Sequence, residues 1–131
     1  MKEVYEFLKN CGTYYLATAD GDQPRVRPFG TVDLFEDKLY IQTGKVKSVA
    51  QQMKVNPKVE ISAMSQDGRW IRIAAEVVLD NNIKAQEHML DSYPNLKAMY
   101  AAGDGNTEVY YLKNAVVQIC SFTEAPREIK F

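Results

Sequence analysis

The chain has 131 residues, of which 46% are hydrophobic and 25% are charged, and its formal net charge at pH 7 is −1. This length fits one domain spanning residues 1–131, and the apolar fraction excludes a disordered or collagen-like chain. The balanced charge argues against a nucleic-acid partner. With two cysteines and one histidine, the chain has no zinc-ligand spacing and little material for a catalytic triad. We therefore expect no metal site, and we expect its reactivity to come from a bound group.

The N-terminal residues interleave charged with apolar side chains, unlike a secretory signal. No run approaches the roughly 20 apolar residues needed to span a bilayer. We therefore expect a cytoplasmic protein without a membrane partner, in which Cys11 and Cys120 are buried thiols.

The chain begins with a predicted amphipathic helix and a hairpin. Apolar residues at i, i+3, i+4 and i+7 across positions 4–11 predict a short helix, and Gly12 is typical of the position just beyond a helix end. Strand-forming residues at 13–19 lead through turn residues to a return strand at 25–29. Proline lacks the N–H that a strand donates, so Pro28 predicts an edge, a bulge or an end of pairing.

Alternating apolar and polar residues predict a second hairpin at 31–35 and 39–43, and helical spacing from Val46 to Lys54 predicts a helix that Asn56-Pro57 ends. The remaining predicted elements are strands at 59–63 and 70–79, helices at 83–91 and 96–102, and a strand at 108–123. Short connections imply antiparallel pairing, so we expect a small closed or partly split barrel of at least six strands flanked by helices.

The segment Gly44-Lys45-Val46-Lys47-Ser48 opens the second predicted helix. Two lysines in a first helical turn lie at the positive end of the helix dipole, where an anion would relieve the repulsion. Free backbone N–H groups and the hydroxyls of Thr43 and Ser48 would add donors. The alternative is a solvated charged turn. The segment is not a Walker loop, because it lacks the upstream glycines.

Arg25 and Arg27 are two residues apart on a predicted strand, so their guanidinium groups share one face of the sheet. Such a pair suits an anionic or polarised planar ligand. Pro28 also frees neighbouring backbone groups, which can then bind the rim of a heterocycle. The alternative is an exposed edge strand whose arginines contact only solvent.

Other reactive side chains are few. Trp70 is a candidate for stacking on a ring, for a subunit contact or for the core. His88 has no evident carboxylate partner or nucleophile, so we expect a surface or structural role. Asp33, Glu76 and Glu108 are carboxylates to which the sequence assigns no partner. The residues by themselves support a barrel that binds a phosphorylated planar ligand.

Taken together, the pattern resembles the pyridoxamine 5′-phosphate oxidase-like family of FMN-binding split barrels. The resemblance covers essentially the whole chain and depends on the order and spacing of its segments. They are Tyr15–Gly21, Pro24–Phe29, Leu39–Thr43 with Lys47-Ser48, Asn56–Ile61 and Trp70–Ile73. The resemblance implies a mainly β fold with flanking helices, an antiparallel six-stranded split β-barrel.

The resemblance also implies a homodimer with an FMN in each of two clefts between the subunits. By position, the flavin ring would be lined by Arg25, Val26, Arg27 and Pro28, through backbone groups and the Arg25 side chain. Gln42 and Thr43 would meet the ring edge and phosphate, Lys47 and Ser48 would grip the phosphate, and Trp70 would approach from the partner subunit. No side chain is predicted to be catalytic.

True pyridoxamine-phosphate oxidases carry a C-terminal substrate-binding segment with a tryptophan. This chain ends at Phe131, and Trp70 is its only tryptophan, so we expect a different substrate. The compact form is similar to the nitroimidazole-reductase-like and general-stress-protein branches. The implied function is an FMN-dependent oxidoreductase that passes electrons or hydride to a small acceptor, with a pyridine nucleotide as candidate donor. The alternative is a non-catalytic flavin-binding or sensing protein. Some relatives use a deazaflavin or haem.

Overall fold

The computed structural model describes residues 1–131. Its α-helices are α1 (Lys2–Cys11), α2 (Ser48–Val55) and α3 (Ile83–Ser92), and a short 3-10 helix follows at Pro94–Ala98. Its strands are β1 (Tyr14–Asp20), β2 (Gln23–Phe29), β3 (Asp33–Phe35), β4 (Lys38–Gly44), β5 (Lys58–Met64), β6 (Trp70–Asp80), β7 (Thr107–Cys120) and β8 (Arg127–Lys130).

All strands belong to one antiparallel sheet in the order β2-β1-β5-β6-β7-β4-β3, with β8 paired to the second half of β7. The mainly β, antiparallel class with flanking helices is confirmed. The sheet has eight strands, which agrees with the expectation of at least six and exceeds the six that the resemblance implied. Strand β8 was not predicted, because it is short, charged and without clear alternation. Pro28 lies on β2, which is an edge strand as predicted.

The sheet curls around a core of 22 buried residues contributed by both halves of the chain. Helix α1 buries Val4, Phe7 and Leu8 against it, and the predicted stripe is therefore confirmed. Gly12 ends the helix with φ of 76°, and its N–H donates to the carbonyls of Leu8 and Lys9. A residue with a side chain is strained at that φ, which explains the glycine.

Helix α2 begins later than its spacing suggested. The prediction placed Lys45 and Lys47 in the first helical turn, but the helix starts at Ser48 and Lys47 is its extended N-cap, with ψ of 148°. Strand β7 likewise ends at Cys120, before the predicted position 123. Both cysteines are free, and only Cys120 is fully buried, so the prediction of two buried thiols is wrong for the half-buried Cys11.

None of the helices is both long and apolar enough to cross a membrane. No group of three or more histidine, cysteine or carboxylate side chains is arranged to hold a metal ion.

Candidate functional site

A cavity of about 320 Å³ lies where the end of β2, the end of β4 and the start of α2 meet the segment after α3. Its lining combines residues of the β2–β3 connection with an apolar wall from the segment after α3. The lining residues are Arg27, Pro28, Phe29, Gly30, Thr31, Gln42, Thr43, Lys47, Val49, Leu96, Met99 and Tyr100. Five of the nine predicted cofactor-binding residues therefore lie around one cavity: Arg27, Pro28, Gln42, Thr43 and Lys47.

The cavity is electropositive. Arg27 and Lys47 both line it, and no aspartate or glutamate does. Neither cation forms an ion pair with a carboxylate of the chain. Arg27 is half-buried without a counter-charge, which is costly, and the exposed Lys47 adds a second positive charge beside it, so this arrangement favours an anionic ligand.

The guanidinium group of Arg27 is held in place by neutral acceptors. Its Nη1 donates to Thr18 Oγ1 at 2.7 Å and to the carbonyl of Leu16 at 3.3 Å, and its Nη2 donates to Gln52 Oε1 at 2.7 Å. Burial, together with the charge of Arg25, lowers the pKa of Arg27 below its usual value. These bonds leave the Nε–H and one Nη2–H of the guanidinium without a partner, so Arg27 retains donors for a ligand.

Gln42 carries an unsatisfied polar atom at the cavity. Its backbone bonds to the Thr31 hydroxyl, which ties β4 to the loop after β2. Its side-chain oxygen Oε1 is buried and has no hydrogen-bond partner. A buried acceptor without a partner costs about 1–3 kcal/mol. A ligand with an N–H donor at this position would remove that cost.

The turn before α2 offers fewer backbone donors than predicted. The N–H groups of Lys45, Val46 and Lys47 already donate to the Asn106 carbonyl, to Asn106 Oδ1 and to the Gly44 carbonyl. The prediction of free N–H groups is therefore wrong at these three positions, because the distant loop takes those of Lys45 and Val46 and the turn itself takes that of Lys47. What this turn presents to the cavity is the Lys47 side chain.

That distant loop is itself ordered by one carboxylate. Asp104 accepts hydrogen bonds from the backbone N–H groups of Ala101, Asn106 and Thr107 at 2.6–3.1 Å. Those bonds, above all the one from Thr107, lower the pKa of Asp104 to about 2. Asp104 thus fixes Asn106, and Asn106 fixes the turn that carries Lys47.

Four predicted cofactor-binding residues lie outside the cavity. Arg25 is exposed and pairs with Asp20 at 3.2 Å, and Val26 lies on the outer face of the sheet with 68% exposure. Ser48 borders a separate depression beside Asp20. Trp70 packs against Phe122 with ring centroids 5.0 Å apart. The roles predicted for these residues stay predictions.

The apolar wall was not predicted as part of a site. Leu96, Met99 and Tyr100 come from the segment after α3, which the sequence marked only as a helical turn. The Tyr93 hydroxyl anchors this segment by accepting from the N–H of Val32 at 3.0 Å and donating to its carbonyl at 3.1 Å. No local pattern signals such a wall, because it is made by packing against residues some 60 positions away.

His88 has a carboxylate partner, contrary to the sequence-based expectation. Its Nδ1 lies 2.5 Å from Oδ2 of the buried Asp33, and Ser92 Oγ donates to the other carboxylate oxygen at 3.3 Å. Glu108 is also paired, with Lys54 at 3.3 Å. None of these groups lines the cavity. The predicted structural role of His88 fits this tether between α3 and β3.

A family model described as pyridoxamine 5′-phosphate oxidase matches residues 1–119. The chain belongs to the pyridoxamine 5′-phosphate oxidase family. The resemblance inferred from the sequence is therefore confirmed. No curated protein matches the chain significantly.

Several solved structures are similar to the chain. A NimC/NimA family protein from Clostridium acetobutylicum shares 46% identity with a TM-score of 0.97, over 100% of this chain and 92% of that one. General Stress Protein 26 from Bacillus anthracis has 15% identity and a TM-score of 0.76, over 99% and 98% of the two chains. A pyridoxamine 5′-phosphate oxidase-related, FMN-binding protein from Nostoc punctiforme has 14% identity and a TM-score of 0.65, over 97% and 90%. The last two similarities, at low sequence identity, show the fold alone, which is the FMN-binding split barrel.

Proposed function

We propose that this protein is a cytoplasmic FMN-binding flavoprotein that passes electrons or hydride to a small acceptor. The observation that carries the proposal is the cavity in which Arg27 and Lys47 have no carboxylate partner, beside the unsatisfied oxygen of Gln42. A phosphate would supply the missing negative charge, and the N–H of a flavin pyrimidine ring would supply the missing donor.

The residues present fit FMN. Lys47 and the free N–H groups of Arg27 would bind the phosphate, and Gln42 would accept from the ring edge. Leu96, Met99 and Tyr100 would cover the apolar part of the ring. When bound, the flavin supplies the redox chemistry, while this chain binds it, orients it and excludes water.

We further propose that the protein works as a homodimer. The sheet face opposite the core exposes the apolar side chains of Tyr15, Val26, Met64 and Val116 by 40–68%. They share this face with the Glu60–Arg72 ion pair and with a hollow of about 720 Å³, which Val116 helps to line. Exposed apolar side chains grouped on one face favour an interface. The 320 Å³ of the site cavity is near the lower limit for a cofactor pocket, so a second subunit would enclose the rest of the flavin. In such a dimer, Trp70 of each subunit would approach the flavin bound by its partner.

The phosphate site is tested by comparing FMN with riboflavin, which lacks the phosphate. Lys47→Met should weaken FMN binding about tenfold or more and leave riboflavin binding unchanged, because a charge-assisted bond contributes about 1.5–3 kcal/mol. Lys45→Met is the matched control, since Lys45 lies in the same turn but outside the cavity. Binding is measured by quenching of flavin fluorescence. Equal losses for the two flavins, or a colourless protein at saturating FMN, would refute the site.

The interface is tested by light scattering. Wild-type protein should have twice the mass of the chain at micromolar concentration, and Val116→Arg, on the outer face of β7, should lower it. A wild-type monomer would remove the shared cleft from the proposal.

One observation favours a second candidate, a flavin-binding or sensing protein without turnover. No cysteine, histidine or carboxylate lines the cavity, so Lys47 and Tyr100 are the chain's main candidates for donating a proton there. If the protein binds FMN but neither NADH nor NADPH bleaches the bound flavin, this second function is the better one.

A further inference from the structure

Gln52, on α2, makes a contact that no sequence pattern indicated. Its side-chain oxygen accepts from Arg27 Nη2 at 2.7 Å and from the Thr18 hydroxyl at 2.6 Å. Thr18 Oγ1 in turn accepts from Arg27 Nη1 at 2.7 Å. The three side chains form a closed triangle that joins α2, β1 and β2.

The chemistry of the groups fixes the direction of every bond in this triangle. A guanidinium group only donates, so both Thr18 and Gln52 must accept from Arg27. The single hydroxyl hydrogen of Thr18 then points to Gln52. The amide NH₂ of Gln52 cannot face the guanidinium, since that would oppose two donors. Arg27 is therefore held from two sides by oxygen atoms that carry no charge.

Arg27 differs from every other arginine of the chain in this respect. Each of the others forms an ion pair with a carboxylate: Arg25 with Asp20, Arg69 with Asp67, Arg72 with Glu60 and Arg127 with Glu3. A carboxylate at position 52 could make the same two bonds as the amide. The chain has an amide there, and the charge of Arg27 is left uncompensated.

We infer that Gln52 is a positioning residue for an anionic ligand, because it orients the Arg27 guanidinium through a neutral acceptor and leaves its positive charge to the ligand phosphate. This inference rests on the proposed function. It assigns to Gln52 no contact with the ligand; Gln52 acts through Arg27. The identity of residue 52 therefore controls preference for a phosphorylated over an unphosphorylated ligand.

Two substitutions separate charge from geometry. Gln52→Glu preserves both hydrogen bonds but places a negative charge against the guanidinium, and it should weaken FMN binding about tenfold or more without changing riboflavin binding. Gln52→Met removes the acceptor and adds no charge, and it should lower the FMN preference less. Gln66→Glu is the matched control, because it adds the same charge in an exposed turn away from the cavity.

The measurement is the ratio of FMN to riboflavin dissociation constants, from flavin fluorescence, alongside the thermal midpoint without ligand. A merely structural role would lower the midpoint and weaken both flavins equally, and that result would overturn the inference. A wild-type ratio retained in Gln52→Glu would also overturn it and leave the proposed function intact. Equal affinities for the two flavins in the wild-type protein would instead overturn the proposed phosphate site, and the inference with it.

Discussion

Gly44, the last residue of β4, is a position where one methyl group should measurably strain the wall of the cavity. A Cβ atom there would lie 3.1 Å from the Tyr100 hydroxyl oxygen, 3.2 Å from Tyr100 Cε1 and 3.2 Å from Asn106 Nδ2. Comfortable contacts to carbon are about 3.5–4.0 Å, so these neighbours must move by a few tenths of an ångström. Overpacking of this kind costs about 1–3 kcal/mol.

Part of that cost is offset, because Gly44 does not have a positive φ and alanine restricts the unfolded chain by about 0.4–1 kcal/mol. Gly44→Ala should therefore destabilise the protein by about 1 kcal/mol, or about 4 °C in thermal midpoint for a chain of this length. The assay is thermal unfolding followed by circular dichroism.

Gly30 supplies the matched control, since it lines the same cavity but a Cβ there would meet only the Gly12 carbonyl, at 3.9 Å. Gly30→Ala should cause no loss of stability. Removing the Tyr100 hydroxyl by Tyr100→Phe should reduce the cost of Gly44→Ala, because it deletes the shortest contact. The steric reasoning is refuted if Gly44→Ala is as stable as wild type, or if its cost is the same in the Tyr100→Phe background.

Two further predictions concern carboxylates that hold the fold around the site. Glu108→Gln should lower the free energy of unfolding in urea by about 1–2 kcal/mol, since it removes the charge of a buried carboxylate paired with the partly exposed Lys54. Glu128→Gln, in an exposed pair, should change it by less than about 0.5 kcal/mol. Equal losses would contradict this. Bonds led by that from the Thr107 N–H lower the pKa of Asp104 to about 2, below the ordinary 3.8. The resulting stability is present above the unfolded pKa and is lost as pH falls from about 4 towards 2. Asp104→Asn should therefore be less stable than the wild type near neutral pH, and its thermal midpoint should fall less steeply as the pH is lowered. An unchanged pH dependence of the midpoint would contradict this role of Asp104.

Local periodicity was sufficient to predict the structure wherever a feature depends on neighbours in sequence. The apolar stripe of α1 and the glycine that ends the helix can be predicted from residues that are close neighbours along the helix. The start of α2 could not be read in this way. Helical spacing continues back to Val46, but Asn106, some 60 residues further along, accepts from the N–H groups of Lys45 and Val46 and holds them in a turn.

The same distinction applies to the site. Strand alternation puts Arg25 and Arg27 on one face, yet it cannot tell that Asp20 neutralises the first while Gln52 leaves the second charged. The family resemblance implied a ring contact for the Arg25 side chain, whereas the structure pairs that side chain with Asp20. The Asp33–His88 pair, 55 positions apart, escaped prediction for the same reason.

The two prolines of β2 have a consequence for how copies of this chain can meet. Proline has no N–H, so Pro24 and Pro28 must occupy the positions that point away from β1, and on that free edge only Val26 keeps a donor. An edge so depleted is a poor template for an added strand from another molecule. Along β2, self-association by sheet extension is therefore discouraged, which protects this edge of the sheet against fibrillar aggregation.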